Sequence, residues 1–522
     1  FLSSAVAGAK RRRQGARHGH HALAARGKRS WHKEEDNAKS SRKHPGQTAC
    51  TEKWFDQQLD HFSFANDTTW KQRYFVCADD WRRASAAVDA GPIFFYCGNE
   101  ADVEGYVEHT GLMYENAAAF GALLIFAEHR YYGQSLPLGA ETFNNMHFLT
   151  HEQALADYAT LIQEIKPQLK AETSKVIAFG GSYGGMLAAW FRMKYPHIIL
   201  GAIAASAPIL AFPSADGGEE AAGGGEDYWA VVTRDASPEA GAAGECIPAF
   251  RAAWPRIESM GNTVDGRAQL SSLFNMCSPI GDPVDVEFLM LYIAMAVDTM
   301  AMGNFPYASD YLTGGAGDLP AWPVRVACDE FVGVDVADTP ALLAAVREAA
   351  AVFYNATGTL KCHELPADKT YDGIWDYQWC TELLCQESYF RRDGVRDMFY
   401  PFSMSPAEVD THCYWKYGVW PRRSWITQLY GGMKGVSEAT NIVFSNGGLD
   451  PWSFGGVTPK TPLPPSASSS LGVVWIPEGA HHLDLFFSNP ADPPSVIAAR
   501  QTEMAFVRKW LDSSSRRGGE SG

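Results

Sequence analysis

Short apolar runs alternate with longer amphipathic stretches as far as residue 212. Pro92-Ile93-Phe94-Phe95-Tyr96 and Ala122-Leu123-Leu124-Ile125-Phe126-Ala127 are too short and too uniformly apolar for surface helices, so both read as buried strands. Leu112 to Phe120 between them reads as a helix. From His151 to Leu169 the apolar residues Ala154, Tyr158, Leu161, Ile162, Ile165 and Leu169 fall at helical spacing. A β-rich segment from Lys175 to Phe179 follows, then a helix-forming run from Met186 to Lys194 that stops near Pro196, then a short strand from Leu200 to Ala205. Strands separated by single helices predict an α/β fold with a mostly parallel sheet and helices on both faces.

That rhythm ends at Pro213. Asp216 to Gly225 is rich in Gly, Glu and Ala and reads as a flexible crossing, and the chain to about Pro421 is helical, aromatic and cysteine-bearing without strand alternation. Alternation resumes with strands at Asn441 to Ser445 and Val473 to Ile476 and a closing helix from Pro494 to Asp512. The expected organisation is therefore a signal remnant and basic pro-segment over 1–50, a first sheet-forming part over 51–212, an inserted helical domain over 213–420, a second sheet-forming part over 421–515 and a flexible tail over 516–522. Such an insert can roof the carboxyl ends of the strands, where ligands bind in open α/β sheets.

Composition narrows the class. With 522 residues, 46% of them hydrophobic, the chain can bury a large core, and its formal net charge of −16 argues against nucleic acid as a partner. It holds no run of 18 uncharged apolar residues, so no membrane span is expected. Phe1 to Ala7 has the form of a signal-peptide tail with an Ala-x-Ala end, and Lys10 to Lys43 is a basic stretch that reads as solvated and disordered. Ten cysteines without a Cys-x-x-Cys spacing speak against zinc or dithiol chemistry. Seven of them lie between Cys246 and Cys413 and, with the glycosylation sequons at Asn66 and Asn355, they point to a secretory route, lysosomal, vacuolar or extracellular, with several disulfides. The pairing is open at this stage, and the odd count leaves at least one cysteine of that region free or paired outside it.

The chemistry concentrates where a strand meets a helix. Gly180-Gly181-Ser182-Tyr183-Gly184 fits the Gly-x-Ser-x-Gly elbow, in which crowding at a sharp turn excludes side chains at the flanking glycines and lifts the serine hydroxyl clear of the sheet. A serine needs a histidine to accept its proton, and the histidine needs a carboxylate to fix its tautomer. On this fold the chain order is Ser, acid, His. Asp450, in a glycine turn just past one late strand, and His481 or His482, just past the next, supply that order. Taken singly, Asp450 is an ordinary turn aspartate and the histidine pair ordinary loop donors; order and topology together make them the acid and base of Ser182. The oxyanion hole should use the Tyr183 N–H and that of Gly98 or Asn99, in the loop after the strand at 93–96. None of this chemistry calls for a cofactor or a metal.

Several blocks resemble the serine peptidase family of lysosomal Pro-Xaa carboxypeptidase and dipeptidyl-peptidase II. They are Leu59-Asp60-His61-Phe62, Tyr96 to Glu100, Phe126 to Gly133, Glu152 to Asp157, Gly180 to Pro196, Asn446 to Trp452 and Glu478 to Leu485. The resemblance implies an α/β-hydrolase fold with a large helical cap inserted in the sheet. It also implies a triad of Ser182, Asp450 and His481, and exopeptidase action on peptides with proline near a terminus. Met186 and Trp452, with Glu100, would surround the proline pocket; as core residues the first two need no such role. Leu319-Pro320-Ala321-Trp322-Pro323-Val324 resembles the carboxypeptidase branch. The dipeptidyl branch needs a carboxylate for the substrate amine, and Asp368 and Asp372 stand in the relevant stretch, so the choice of terminus stays open. A homodimer is one assembly the family allows. A lipase or esterase of the same fold is the rival reading.

Two departures stand out. Phe486 replaces the arginine that the family usually has after the His-His-Leu-Asp-Leu block, removing a cation near the active histidine. Phe454 replaces a usual glycine, and is expected to narrow the pocket mouth.

Overall fold

The computed structural model describes residues 47–85, 89–213, 227–366, 373–383, 391–465 and 470–519, with side chains described as far as residue 514. The basic segment, the crossing at 216–225, Asp368 and Asp372 lie outside the described residues.

An eight-stranded sheet organises the chain: β1 (Thr51–Gln58), β2 (Thr69–Cys77), β3 (Ile93–Cys97), β4 (Leu123–Ala127), β5 (Val176–Gly181), β6 (Ile199–Ala205), β7 (Ile442–Gly447) and β8 (Leu471–Ile476), in the order β1-β2-β4-β3-β5-β6-β7-β8. The strands β3 to β8 are parallel, whereas β1 and β2 are antiparallel additions at the β4 edge. Helices α1 (Val103–His109), α2 (Gly111–Phe120), α3 (His151–Leu169) and α4 (Tyr183–Lys194) connect the early strands. This is an α/β-hydrolase sheet, whose six parallel strands match the predicted rhythm within a residue or two at most ends. The pattern missed β1 and β2. β1 is largely exposed and polar, and β2 buries the charged Arg73, so neither shows clean apolar alternation.

Between β6 and β7 the described residues form ten helices: α5 (Tyr228–Asp235), α6 (Cys246–Gly261), α7 (Val264–Leu273), α8 (Pro283–Met302), α9 (Pro323–Asp329), α10 (Thr339–Tyr354), α11 (Ile374–Thr381), α12 (Pro406–Tyr417), α13 (Trp425–Tyr430) and α14 (Gly432–Glu438). The helix α8 is buried on nearly all sides and centres a hydrophobic core separate from those on the two faces of the sheet. Disulfides Cys246–Cys328, Cys277–Cys362 and Cys380–Cys413 staple this helical part, and Cys50–Cys77 ties β1 to β2. Cys97 is a buried free thiol at the end of β3; Cys385, the odd member of the late cluster, lies outside the described residues. Among the described residues no helix is long and apolar enough to cross a membrane.

The closing helix α15 (Pro494–Gly519) runs past residue 512, where its apolar pattern fades, and over the first residues of the expected tail. It lies against β8 and the segment after it, where it inserts Glu503 with no solvent exposure beside Asp484, and Asp484 accepts a 2.5 Å hydrogen bond from Ser445 at the end of β7. Burial, and then the neighbouring Asp484 carboxylate, push the Glu503 carboxyl well above the ordinary range. A protonated Glu503 can donate to Asp484; an ionised one would set two carboxylates together in the core.

The pH dependence of stability follows. In the unfolded chain Glu503 ionises at the ordinary carboxyl pKa, whereas in the fold it holds its proton. Its contribution is therefore complete below the ordinary value and is lost as pH rises through the raised one, each pH unit between the two being worth about 1.4 kcal/mol. Thermal unfolding followed from about pH 5 to about pH 8 should show a falling midpoint, and Glu503→Gln, with a permanent N–H donor, should flatten that fall. An unchanged slope would remove Glu503 as its source.

Candidate functional site

Ser182 stands where β5 turns into α4, with φ 60° and ψ −128°, a backbone region that a side chain rarely adopts. Its N–H donates to the Ala205 carbonyl at the end of β6 (2.9 Å), and its own carbonyl accepts the Met186 N–H of the first helical turn (3.0 Å). The turn is closed by contact. A Cβ on Gly180 would come within 2.0 Å of the Gly184 carbonyl oxygen, and one on Gly184 within 2.8 Å of the Cys97 oxygen. Both glycines are thus required by close approach, as the elbow pattern implies.

Asp450 follows β7 and opens the 3-10 turn Pro451–Gly455; its Oδ1 accepts the Trp452 N–H at 3.0 Å and lies 2.9 Å from His481 Nδ1. His481 follows β8. Asp450 is fully buried and His481 is 3% exposed. A carboxylate at Nδ1 fixes the proton there and leaves Nε2 as the acceptor, and that Nε2 is buried without a hydrogen-bond partner among the described residues. The neighbouring His482 has no carboxylate: its Nε2 is 3.4 Å from the Tyr311 hydroxyl, and burial, then the adjacent His481, push it well below the usual histidine range. Of the two histidines that spacing left open, His481 is the one whose ring faces Asp450.

The three loops converge on the short segment after β6. Ala205 receives the Ser182 N–H, and Ser206 Oγ receives the His482 N–H (2.8 Å). The His482 ring lies so close to Gly181 that a Cβ there would come within 2.8 Å of it. Ser182, Asp450 and His481 therefore share the carboxyl edge of the sheet, at the ends of β5, β7 and β8.

The loop after β3 lies against the elbow, since a Cβ on Gly184 would be 2.9 Å from Asn99 Oδ1. The Gly98 N–H donates to the Ala127 carbonyl (3.0 Å), so of the two loop amides expected for an oxyanion, Gly98 is occupied and Asn99 is the one left. Asn99 Nδ2 donates to Glu100 Oε2 at 2.8 Å. Burial pushes the half-buried Glu100 carboxyl up, opposed by hydrogen bonds from its own backbone and Asn99 and by the charge of His481.

Met186 and Trp452 are both buried. Met186 belongs to the core under α4, and Trp452 packs edge-on against Tyr228 of α5 (4.9 Å) while its indole N–H meets Met302 Sδ (3.2 Å) at the end of α8. Phe454 packs on the same Tyr228 ring (5.9 Å), which draws it toward the helical core. Phe486 lies within an aromatic group, 5.3 Å from the His482 ring and 4.9 Å from Tyr311, so aromatic contact flanks His482. Asn66 and Asn355 both lie half-buried in surface turns, each accepting a backbone N–H.

Residues of the helical part reach this edge without any signal in the sequence. The His481 N–H donates to the Met302 carbonyl (3.1 Å). Asp235, fully buried at the end of α5, is held well above the ordinary carboxyl range by burial, with the Asp450 charge adding to it. Tyr228, the first residue of α5, and Met302, the last of α8, both belong to the helical core, and they reach this edge because of where those helices begin and end.

Known proteins resemble the chain along most of its length. The serine carboxypeptidase S28 family model matches residues 57–503. A lysosomal Pro-X carboxypeptidase of Pongo abelii is 42% identical over 465 residues, 88% of each chain, and that of Homo sapiens is 42% identical over the same span. A thymus-specific serine protease of Mus musculus is 28% identical over 472 residues, 88% of this chain and 87% of that one. With this coverage, the chain belongs to the serine carboxypeptidase S28 family and is a serine-type peptidase.

Proposed function

We propose that the chain is a Pro-Xaa carboxypeptidase working through Ser182, His481 and Asp450. The observation that carries this reading is the buried His481 ring, tied at Nδ1 to Asp450 and bare at Nε2. His481 Nε2 takes the Ser182 proton as Oγ attacks the carbonyl of the prolyl residue. Asp450 stabilises the imidazolium that forms. The oxyanion is received by the Tyr183 and Asn99 N–H groups. His481 then returns the proton to the departing amine of the carboxyl-terminal residue, leaving an acyl-enzyme on Ser182 that water hydrolyses with His481 again as base.

Substrate choice rests on the relatives, which are named for Pro-X cleavage in the lysosome and are 42% identical. The same source, the four disulfides and the sequons at Asn66 and Asn355 support a lysosomal or secreted glycoprotein. Residues 213–420 serve as a lid over the strand ends, supported by the contacts of Met302 and Tyr228 with the His481 and Trp452 loops. Met186, Trp452 and Glu100 border the site for the proline side.

Two measurements test the reading. An N-blocked Pro-Phe dipeptide and a free-amine Xaa-Pro amide, offered side by side at acidic and neutral pH, separate the branches: release of Phe is expected, while release from the amide alone would make the chain a dipeptidyl-peptidase. Ser182→Ala should abolish turnover, and Asp450→Asn should lower kcat by about 10⁴-fold with KM little changed, because the wrong His481 tautomer is stabilised. Full activity in Asp450→Asn would refute the triad.

A further inference from the structure

Tyr183, whose N–H is the proposed oxyanion donor, carries a phenol that points away from the reaction into a closed polar chain. Its hydroxyl lies 3.0 Å from His129 Nε2 and accepts from Gln378 Nε2 at 2.7 Å. The direction of each bond is fixed. His129 Nδ1 meets the Arg130 carbonyl at 2.7 Å and must carry the proton there, so Nε2 accepts and the Tyr183 O–H donates to it. Burial lowers His129 to about 4, which keeps it neutral in that tautomer through the working range. Gln378 Nε2 also donates to Glu382 Oε1 (2.8 Å), and its Oε1 accepts the Tyr132 hydroxyl (2.7 Å). A flipped amide would turn its oxygen toward the Glu382 carboxylate, so the orientation is set. Glu382 is itself held by His151, through the backbone N–H that opens α3 (2.7 Å) and through Nδ1 (2.6 Å). Tyr183, His129, Tyr132, Gln378, Glu382 and His151 are all buried, and the Trp375 ring closes edge-on over Tyr183 at 5.5 Å.

Gln378 and Trp375 belong to α11 and Glu382 follows its end, so a helix of the insert grips the residue next to the nucleophile. We infer that Gln378, anchored by Glu382, is a positioning residue that sets the Tyr183 N–H for the oxyanion, and that correct seating of α11 on the elbow is therefore a condition for turnover. This rests on Ser182 and Tyr183 having the roles proposed above. A buried network whose bonds from His129 through Tyr183 and Gln378 to Glu382 are all made is suited to this task, because losing one member leaves polar groups without partners and lets the others shift.

The test is a double-mutant cycle in the full chain. Gln378→Leu and Tyr183→Phe should each lower kcat on the order of tenfold to a hundredfold with KM little changed, and the double variant should be no slower than the worse single one, since both cut the same link. Affinity for a prolyl boronate, which engages the oxyanion hole, should fall in parallel with kcat, whereas affinity for a substrate-like product should not. Additive losses, a change in KM alone, or unaltered boronate affinity would overturn the positioning role. Circular dichroism and unfolding temperature identify a variant that has not folded, and Tyr183→Phe, which keeps the ring, then carries the test alone on kcat and boronate affinity. Ser182→Ala is run beside them: if it remains active, the nucleophile assignment fails; if it is dead while Gln378→Leu and Tyr183→Phe are both unaffected, only the positioning inference fails.

Discussion

A serine held at φ 60° and ψ −128° is the constraint on which the arrangement depends. Such a backbone costs on the order of 1–3 kcal/mol and persists only where its surroundings over-determine it. Here they do. The Gly180–Gly184 contact closes the turn, β6 takes the Ser182 N–H, and the segment after β4 braces the region with three consecutive residues. Glu128 accepts Arg73 of β2 at 2.7 Å, His129 meets the Tyr183 phenol, and Arg130 forks onto both carboxylate oxygens of Asp157 on α3 at 2.7 Å each. Edge strands, elbow and helix are joined by one tripeptide. His61, 2.8 Å from Asp157, brings the turn between β1 and β2 into the same cluster.

The helical insert touches this apparatus from two sides. Met302, at the end of α8, receives the His481 N–H, and Gln378, on α11, reaches the Tyr183 hydroxyl. One contact addresses His481, the other the residue beside Ser182. The disulfide Cys380–Cys413 fixes α11 to α12 just beyond Gln378, so an oxidising compartment bears directly on how rigidly that second contact is presented.

How much could be read beforehand varied with the kind of interaction. The parallel strands were legible because each is a short apolar run buried on both faces, and the elbow because close packing demands glycine at Gly180 and Gly184. The meeting of Asp450 with one histidine of the pair at 481–482 was expected from chain order, whereas which ring faces the carboxylate was not legible from spacing. β1 and β2 were not, since an exposed edge strand and one that buries Arg73 lack a clean period. Occupation of the Gly98 N–H by Ala127 and the closeness of Gln378 to Tyr183 were equally invisible, because each depends on a contact between distant segments. The block around His129 was visible as a resemblance, yet its physical reason emerges only when the phenol of Tyr183 is seen against it.

The pairing of β6 with β7 brings Ala205 beside Ser445 across the entire insert. During synthesis Ser182 and its strand therefore emerge long before Asp450 and His481 exist, and the last two parallel strands can dock only after the intervening helices have compacted enough to bring their ends together. Contacts of such long range are slow to form. For a peptidase this order has a use: with the roles proposed above for Ser182 and His481, the nascent and partly folded chain carries a serine with no base, and hydrolytic power arrives only with the final strands, when the intervening helices are already in place.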